Sequence, residues 1–304
     1  MTSSPPDTPA NAASPRLGWL ARARRWALLR IVLEAAALIG VMVGAIILSG
    51  HLTPPRTSPL HDGLAMARNL VQAGMLLGAY VLLVRLVERR AAGELSVVAG
   101  AAQAPLGVLI GSGMIAAVYL VLWAMGHAAF GDGDGTEGVA LGVTLAVLAA
   151  VFEELLLRAV LFRHLEDAFG TTVALVVSAA IFGLLHSFNP GATAFSDIAI
   201  ALEAGVLLAL AYASTRNLWL AIGLHAGWNF GEGNIFGAQV SGTAPTPSLV
   251  HSTLTGPSLL TGGSFGPEAS VVAIGVSAVV SVVFAVIIVR RGGWRPLSVR
   301  LSAP

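Results

Sequence analysis

Residues 138–163 read GVALGVTLAVLAAVFEELLLRAVLFR. About 20 mostly apolar residues suffice to cross a hydrocarbon core as a helix, so this stretch reads as a transmembrane span. Its interior nevertheless holds Glu153, Glu154 and Arg158. A charge at mid-bilayer costs at least ~2.5–3.5 kcal/mol on insertion scales, so such groups need partners and point to a functional site. Glu154 and Arg158 are four residues apart, share one helix face and can pair. Glu153 is turned about 100° from Glu154 at ~3.6 residues per turn, which frees it to face another helix.

The composition around this stretch agrees with a membrane setting. Of 304 residues, 56% are hydrophobic and only 11% charged, too little polar surface for a soluble domain of this size. Other apolar runs fall at 26–49, 64–87, 104–126, 171–188, 196–215, 217–236 and 269–290, which makes eight spans and an all-α polytopic bundle. The first run exceeds the ~7–15 residues of a signal-peptide core and is expected to be retained. A net charge of +1 provides no basic field for nucleic acid, so the expected partners are the lipid bilayer and a protein or peptide substrate. With no Cys in the chain, disulfides, thiolate ligands and a cysteine nucleophile are all excluded.

The expected organisation is a disordered cytoplasmic tail over 1–22, a transmembrane domain over 23–295 with its catalytic core at about 138–236, and a C-terminal tail over 296–304. Residues 88–103 read as an interfacial connector. Positively charged loops resist translocation. An inside N-terminus leaves only Arg56 and Arg68 outside, and eight spans return the Arg-rich C-terminus to the cytoplasm. The expected location is therefore the cell membrane, with both termini cytoplasmic. The Gly, Ser, Thr and Pro-rich connection 237–268 is expected to cap the external end of the bundle.

Two further spans carry polar groups where lipid is expected. The fifth ends in IFGLLHSF (181–188), with His186, and the seventh holds IGLHAGWNF (222–230), with His225 and Asn229 four apart on one face. Glu34 and Glu203 are isolated carboxylates in the first and sixth spans, and read as packing or cavity-lining groups. His51, His61, His127, His164 and His251, near span ends or in loops, read as solvated bystanders, and Trp219 and Trp228 as helix-end or packing residues. Counted from the turn near 168–170, Glu153 lies ~22 Å up one arm and His186 ~24 Å up the other, so they can meet. His225 and Asn229 lie ~14 Å and ~20 Å above the turn near Arg216. All four share one layer if the fourth–fifth hairpin projects beyond the bilayer.

A carboxylate beside an imidazole can activate water, and a second His with an Asn supplies donors for an oxyanion. Hydrolysis of an acyl bond with no covalent intermediate follows. A metal reading stands beside it, because His186, His225 and Glu153 are also a zinc-type ligand set with water completing the site. No HExxH signature accompanies them.

The ordered trio EExxxR (Glu153, Glu154, Arg158), FxxxH (Phe182, His186) and HxxxN (His225, Asn229) resembles the CPBP family, which includes CAAX prenyl endopeptidases and bacterial bacteriocin-processing, immunity-related or abortive-infection-like proteins. The resemblance covers about 138–236, and GGSFGPEAS (262–270) also looks like a feature of bacterial members. It implies an eight-helix intramembrane endopeptidase with its site among spans four, five and seven. Glu153 and His186 would activate water, and His225 and Asn229 would stabilise the oxyanion. Glu154 and Arg158 would hold the site together, with Phe182 packing beneath His186. The family has been described both as metalloproteases and as glutamic proteases, and the absence of a conventional zinc motif fits the second description, with no cofactor required. The alternative is a transporter or immunity-type scaffold whose buried Glu and His groups relay protons or contact a partner.

Overall fold

The computed structural model describes residues 15–297 apart from 51, 52, 55, 56 and 59, with side chains from Trp26 onward. His51, Arg56 and the tail segments 1–14 and 298–304 lie outside the described residues. The chain is an all-α bundle, as its composition implies. Helix α1 (Pro15–Gly50) begins within the stretch expected to be tail, since Leu, Trp and Ala after Pro15 continue the helix without a break. Next come α2 (His61–Leu83), which ends in a π turn over Val84–Glu88, and α3 (Val97–Ala124). Helix α4 (Val139–Glu154) runs through a π segment, Leu155–Phe162, into α5 (Arg163–Phe169). Gly170, at a positive φ of 82°, turns the chain into α6 (Thr171–His186).

Helix α7 (Ala194–Ile200) opens on a Thr193/Ser196 capping box and passes through a π turn, Ala201–Val206, into α8 (Leu207–Thr215). Asn217 caps α9 (Leu218–Phe230), which ends in a fourth π stretch, Gly231–Ile235. After the short α10 (Ser258–Thr261), Ser270 caps α11 (Val271–Arg290).

Among the described residues six helices are long and apolar enough to cross a membrane: Trp26–Gly50, His61–Glu88, Val97–Ala124, Val139–Phe169, Ala194–Thr215 and Val271–Arg290. The remaining two expected spans are the 16-residue α6 and the 13-residue α9, both shorter than that measure requires. Polar residues and turns cut them short: α6 stops at His186 and α9 gives way to the Gly-flanked Glu232.

Buried polar contacts and glycines fix the helices against each other. Helix α9 is buried along almost its whole length and lies against α3, α4 and α8. Gly107 and Gly111 of α3 meet Gly223 and Gly227 of α9. A Cβ at Gly111 would sit 2.0 Å from the Leu224 carbonyl oxygen, and one at Gly223 would sit 2.2 Å from that of Ala104. Two small-xxx-small pairs thus bring the backbones into contact, and Ser112 Oγ adds a bond to the Gly227 carbonyl at 3.0 Å. Asn69 of α2 donates to Thr144 of α4 at 3.1 Å.

The connector after α2 is shorter than expected, because α3 starts at Val97. It is fastened by Arg90, which reaches Glu88 at 3.0 Å and Glu94 at 2.7 Å, while Tyr80 also hydrogen-bonds Glu94. Burial alone would raise the Glu94 carboxyl, but the bonds from Arg90 and Tyr80 prevail and hold it below the ordinary carboxylate value. His164 is not solvated: it is buried, 3.1 Å from Glu34 Oε2, and joins α5 to α1.

The 237–268 connection folds back over one end of the bundle. Its strand β2 (Val250–Leu254) pairs antiparallel with β1 (Ala128–Asp132), Ala128 opposite Leu254. This small sheet is the one addition to the expected helices among the described residues. Beside it Asp134 accepts from the Ser248 N–H at 3.0 Å, which lowers its carboxyl below the ordinary value. Asn234, in the π turn after α9, donates to Thr246 and to the Pro247 carbonyl, tying the connection to the helix end.

Candidate active site

Glu153 and Glu154 close the regular part of α4, one turn before Arg158 in the π segment. Glu154 and Arg158 are 0% and 1% exposed and pair at 3.0 Å. The rest of the guanidinium crosses to the neighbouring helix, where Nη2 donates to the carbonyls of Ala204 and Gly205 at 3.0 and 3.2 Å. Those carbonyls lie in the π turn between α7 and α8. The same guanidinium stands 4.6 Å above the Phe182 ring.

Glu154, rather than Glu153, makes the bond that fixes His225. His225 Nδ1–H donates to Glu154 Oε1 at 3.0 Å, the oxygen that also accepts from Arg158. The far edge of the ring turns Nε2 towards Glu153, whose Oε2 lies 3.9 Å away and is buried without a hydrogen-bond partner. His186 is held in a parallel manner: its Nδ1–H donates to the Phe182 carbonyl at 2.8 Å, one helical turn back. A carbonyl can only accept, so this bond sets the tautomer and leaves Nε2 as the free nitrogen. The Phe182 ring lies between the two imidazoles, with centroids 4.8 Å from His186 and 6.3 Å from His225.

His186, His225 and Asn229 line one narrow cleft together with Phe182, Trp228, Glu203, Ser241 and Glu268. Its remaining wall is apolar, from Ile200, Leu207, Leu208 and Leu224. Glu153 reaches this group through His225, at the 3.9 Å given above, from the α4 side. The four residues picked out of the sequence are therefore brought together on α4, α6 and α9.

Several participants lie outside that set. Glu203 was read as a packing or cavity-lining carboxylate, and it lines the cleft and accepts from Ser277 at 3.3 Å. Glu232 is fully buried in the π turn after α9, where Trp228 Nε1 donates to it at 2.9 Å and the Glu268 N–H at 3.3 Å. Glu268, in the short turn Pro267–Ala269 before α11, is buried on the cleft wall. Burial pushes its carboxyl above the ordinary range, against the lowering effect of Ser241 and His186. Glu232 was within reach of sequence reasoning, being a carboxylate inside the expected 217–236 span. Glu268 carried no periodicity signal, since it comes from a loop. Trp228 is more than packing, because its ring walls the cleft and its N–H is spent on Glu232.

A metal held by His186, His225 and Glu153 would need their donor atoms at one point. Among the described residues the group of three whose donors lie within 4.8 Å of one another is instead Glu34, Glu88 and His164. There the Arg163 guanidinium already grips Glu88 at 2.6 and 2.7 Å. As arranged, neither set fits a three-ligand zinc centre.

Fold and site together define a polytopic helical membrane protein with a polar cleft set among its helices. Residues 135–231 match the family described as Type II CAAX prenyl endopeptidase Rce1-like. The matched stretch holds all three motifs, from Glu153 to Asn229, in agreement with the resemblance they carry. At the level of the family this supports an intramembrane endopeptidase. No curated protein and no solved structure matches the chain.

Proposed function

We propose that the protein hydrolyses a peptide bond of a membrane-associated substrate by means of water activated between Glu153 and His186. The supporting observation is the pair of imidazoles lining one cleft, each anchored through Nδ1, with an unpartnered Glu153 oxygen 3.9 Å from His225 Nε2. Glu153 takes a proton from water, and the hydroxide attacks the carbonyl carbon. Asn229 and His225, whose Nε2 carries a proton when the ring is the imidazolium between Glu153 and Glu154, donate hydrogen bonds to the oxyanion. The proton then passes to the leaving nitrogen as the C–N bond breaks. Glu154 and Arg158 act one step back from the chemistry by setting the angle of the His225 ring.

In this reading the hydrolase needs no cofactor, and the substrate is a CAAX-like or other membrane-associated protein met in the cell membrane, with both termini of the enzyme on the cytoplasmic side. Purified Glu153→Gln and His186→Ala proteins are expected to stay folded, with reporter-peptide cleavage reduced at least about 100-fold, the scale of general-base catalysis. Unchanged cleavage in either variant refutes the proposal. Wild-type activity is expected to survive strong chelators, and its loss, restored by zinc, would transfer the chemistry to a metal.

A further inference from the structure

Two buried carboxyl groups, Glu203 and Glu268, line the cleft and a third, Glu232, lies against Glu268; among the described residues no Arg pairs with any of them. Glu232 is met by Trp228, by a backbone N–H and by the Glu268 side chain, and Glu203 by the Ser277 hydroxyl. Glu268 Oε1 is buried and has no hydrogen-bond partner, although the residue is only 3% exposed and lines the cleft. The groups lining the cleft include no Arg, and the chain has no Lys. The nearest guanidinium in the site, Arg158, is spent on Glu154 and on two carbonyls.

A buried carboxyl without a counter-ion is unfavourable unless a proton or a cation neutralises it. The remaining cleft surface is aliphatic, from Ile200, Leu207, Leu208 and Leu224. An aliphatic wall beside acidic groups matches a long side chain whose methylenes are apolar and whose head is positive.

We propose that Glu268, together with Glu203, receives a basic side chain of the substrate, so that the protein selects peptides with Lys or Arg beside the scissile bond. This rests on the hydrolase reading above, because the cleft that holds the cation is the one that holds His186 and Asn229. The cation hydrogen-bonds Glu268 Oε1, and its stem packs on Leu207 and Leu208. Glu268 is here a specificity residue.

The test separates binding from cleavage by using the full-length protein with Glu153→Gln as a non-turning-over background. Peptides that differ only in Lys against norleucine, or Arg against citrulline, are titrated onto it in lipid nanodiscs. The basic peptide is expected to bind about tenfold tighter or more, the scale of a charge-assisted hydrogen bond out of water. Adding Glu268→Gln is expected to bring the ratio near one. Equal binding of the two peptides overturns the proposal, as does a preference that survives Glu268→Gln. If that variant does not fold, Glu203→Gln is used in its place, and loss of preference is again the expected result.

Cleavage by the otherwise wild-type protein is then read on the same peptides. Glu268→Gln is expected to spare cleavage of the norleucine peptide and to lose the advantage of the lysine one. An equal loss on both peptides would assign Glu268 to the chemistry and overturn its role in recognition. A binding preference for the basic peptides with no cleavage of either would leave the cation pocket standing and refute the hydrolase reading.

Discussion

Replacing Gly111 by Ala tests whether the contact between α3 and α9 positions the site. The added Cβ would lie 2.0 Å from the Leu224 carbonyl oxygen and 2.8 Å from the Trp228 nitrogen. Both neighbours are backbone atoms and cannot swing aside. Ordinary contact begins at 3.4 Å, so α3 and α9 must separate locally by roughly 1.4 Å in an interior packed like a crystal. Leu224 precedes His225 and Trp228 precedes Asn229, so the shift is handed to the two oxyanion groups. Overpacking of this kind costs about 1–3 kcal/mol in stability. Misplacement of catalytic groups by about 1 Å costs on the order of 10²-fold in rate. Gly113, two residues further along the same helix, has nothing within 4 Å of its would-be Cβ. Ala at 113 should leave cleavage intact and add about 0.5–1 kcal/mol through helix propensity. Purified Gly111→Ala and Gly113→Ala proteins, compared by reporter cleavage and by thermal unfolding in one detergent, give the answer. Equal activity in the two would show that the close approach does not set the site.

Two other perturbations have equally definite outcomes. Arg158→Met leaves a fully buried Glu154 with His225 as its one remaining side-chain partner and should cost about 3–5 kcal/mol, most of it recovered when Glu154→Gln is added. A double-mutant cycle of denaturant unfolding reads this, and a single-variant loss below about 1 kcal/mol would refute burial of the pair as the cause. Glu94 has a lowered folded pKa, so its contribution is complete above the unfolded value of about 4.3 and is lost as pH falls through the folded value. Hydrogen exchange of the 89–96 connector should therefore be flat through neutral pH and rise in acid. Glu94→Gln should abolish that acid step, and an unchanged step in the variant would place the titrating group elsewhere.

The parts of the site legible in the sequence are those on regular helix. Glu154 with Arg158 and His225 with Asn229 keep the four-residue spacing that periodicity assumes, and the structure puts each pair on one face. What the spacing could not reveal is which carboxylate takes His225. A 100° turn separates Glu153 from Glu154, but only the packing of α9 against α3 and α4 decides which of them meets Nδ1. The bond of Glu34 to His164 escaped because it joins segments whose relative placement is tertiary, and that of Arg90 to Glu94, though local, because it lies in a connector without α-helical periodicity. The length of α6 and α9 was overestimated for a related reason. Hydropathy averages across Ser187, Phe188 and the Gly231–Ile235 turn, where the backbone has already left the α-helix.

The three π segments near the cleft explain how one chain accommodates so many buried polar groups. A π turn shifts hydrogen bonding to i→i+5, frees carbonyl oxygens from the α ladder and rotates the residues beyond it, and such turns recur at functional sites. Between α7 and α8 the carbonyls of Ala204 and Gly205 accept from Arg158, while Glu203 in the same turn enters the cleft. After α9 the turn carries Glu232 back beneath Trp228. Arg158 lies in the third segment, so its guanidinium ties its own helix to the widened turn of α7 and α8 and, through Glu154, to His225 on α9. One planar cation with five donors can hold these three elements at fixed angles, which a point-charge ammonium on a flexible stem cannot. The buried ion pair is thus better understood as a device for orientation than as a source of stability. An apolar replacement of equal volume would pack as well but would leave the imidazole free to turn.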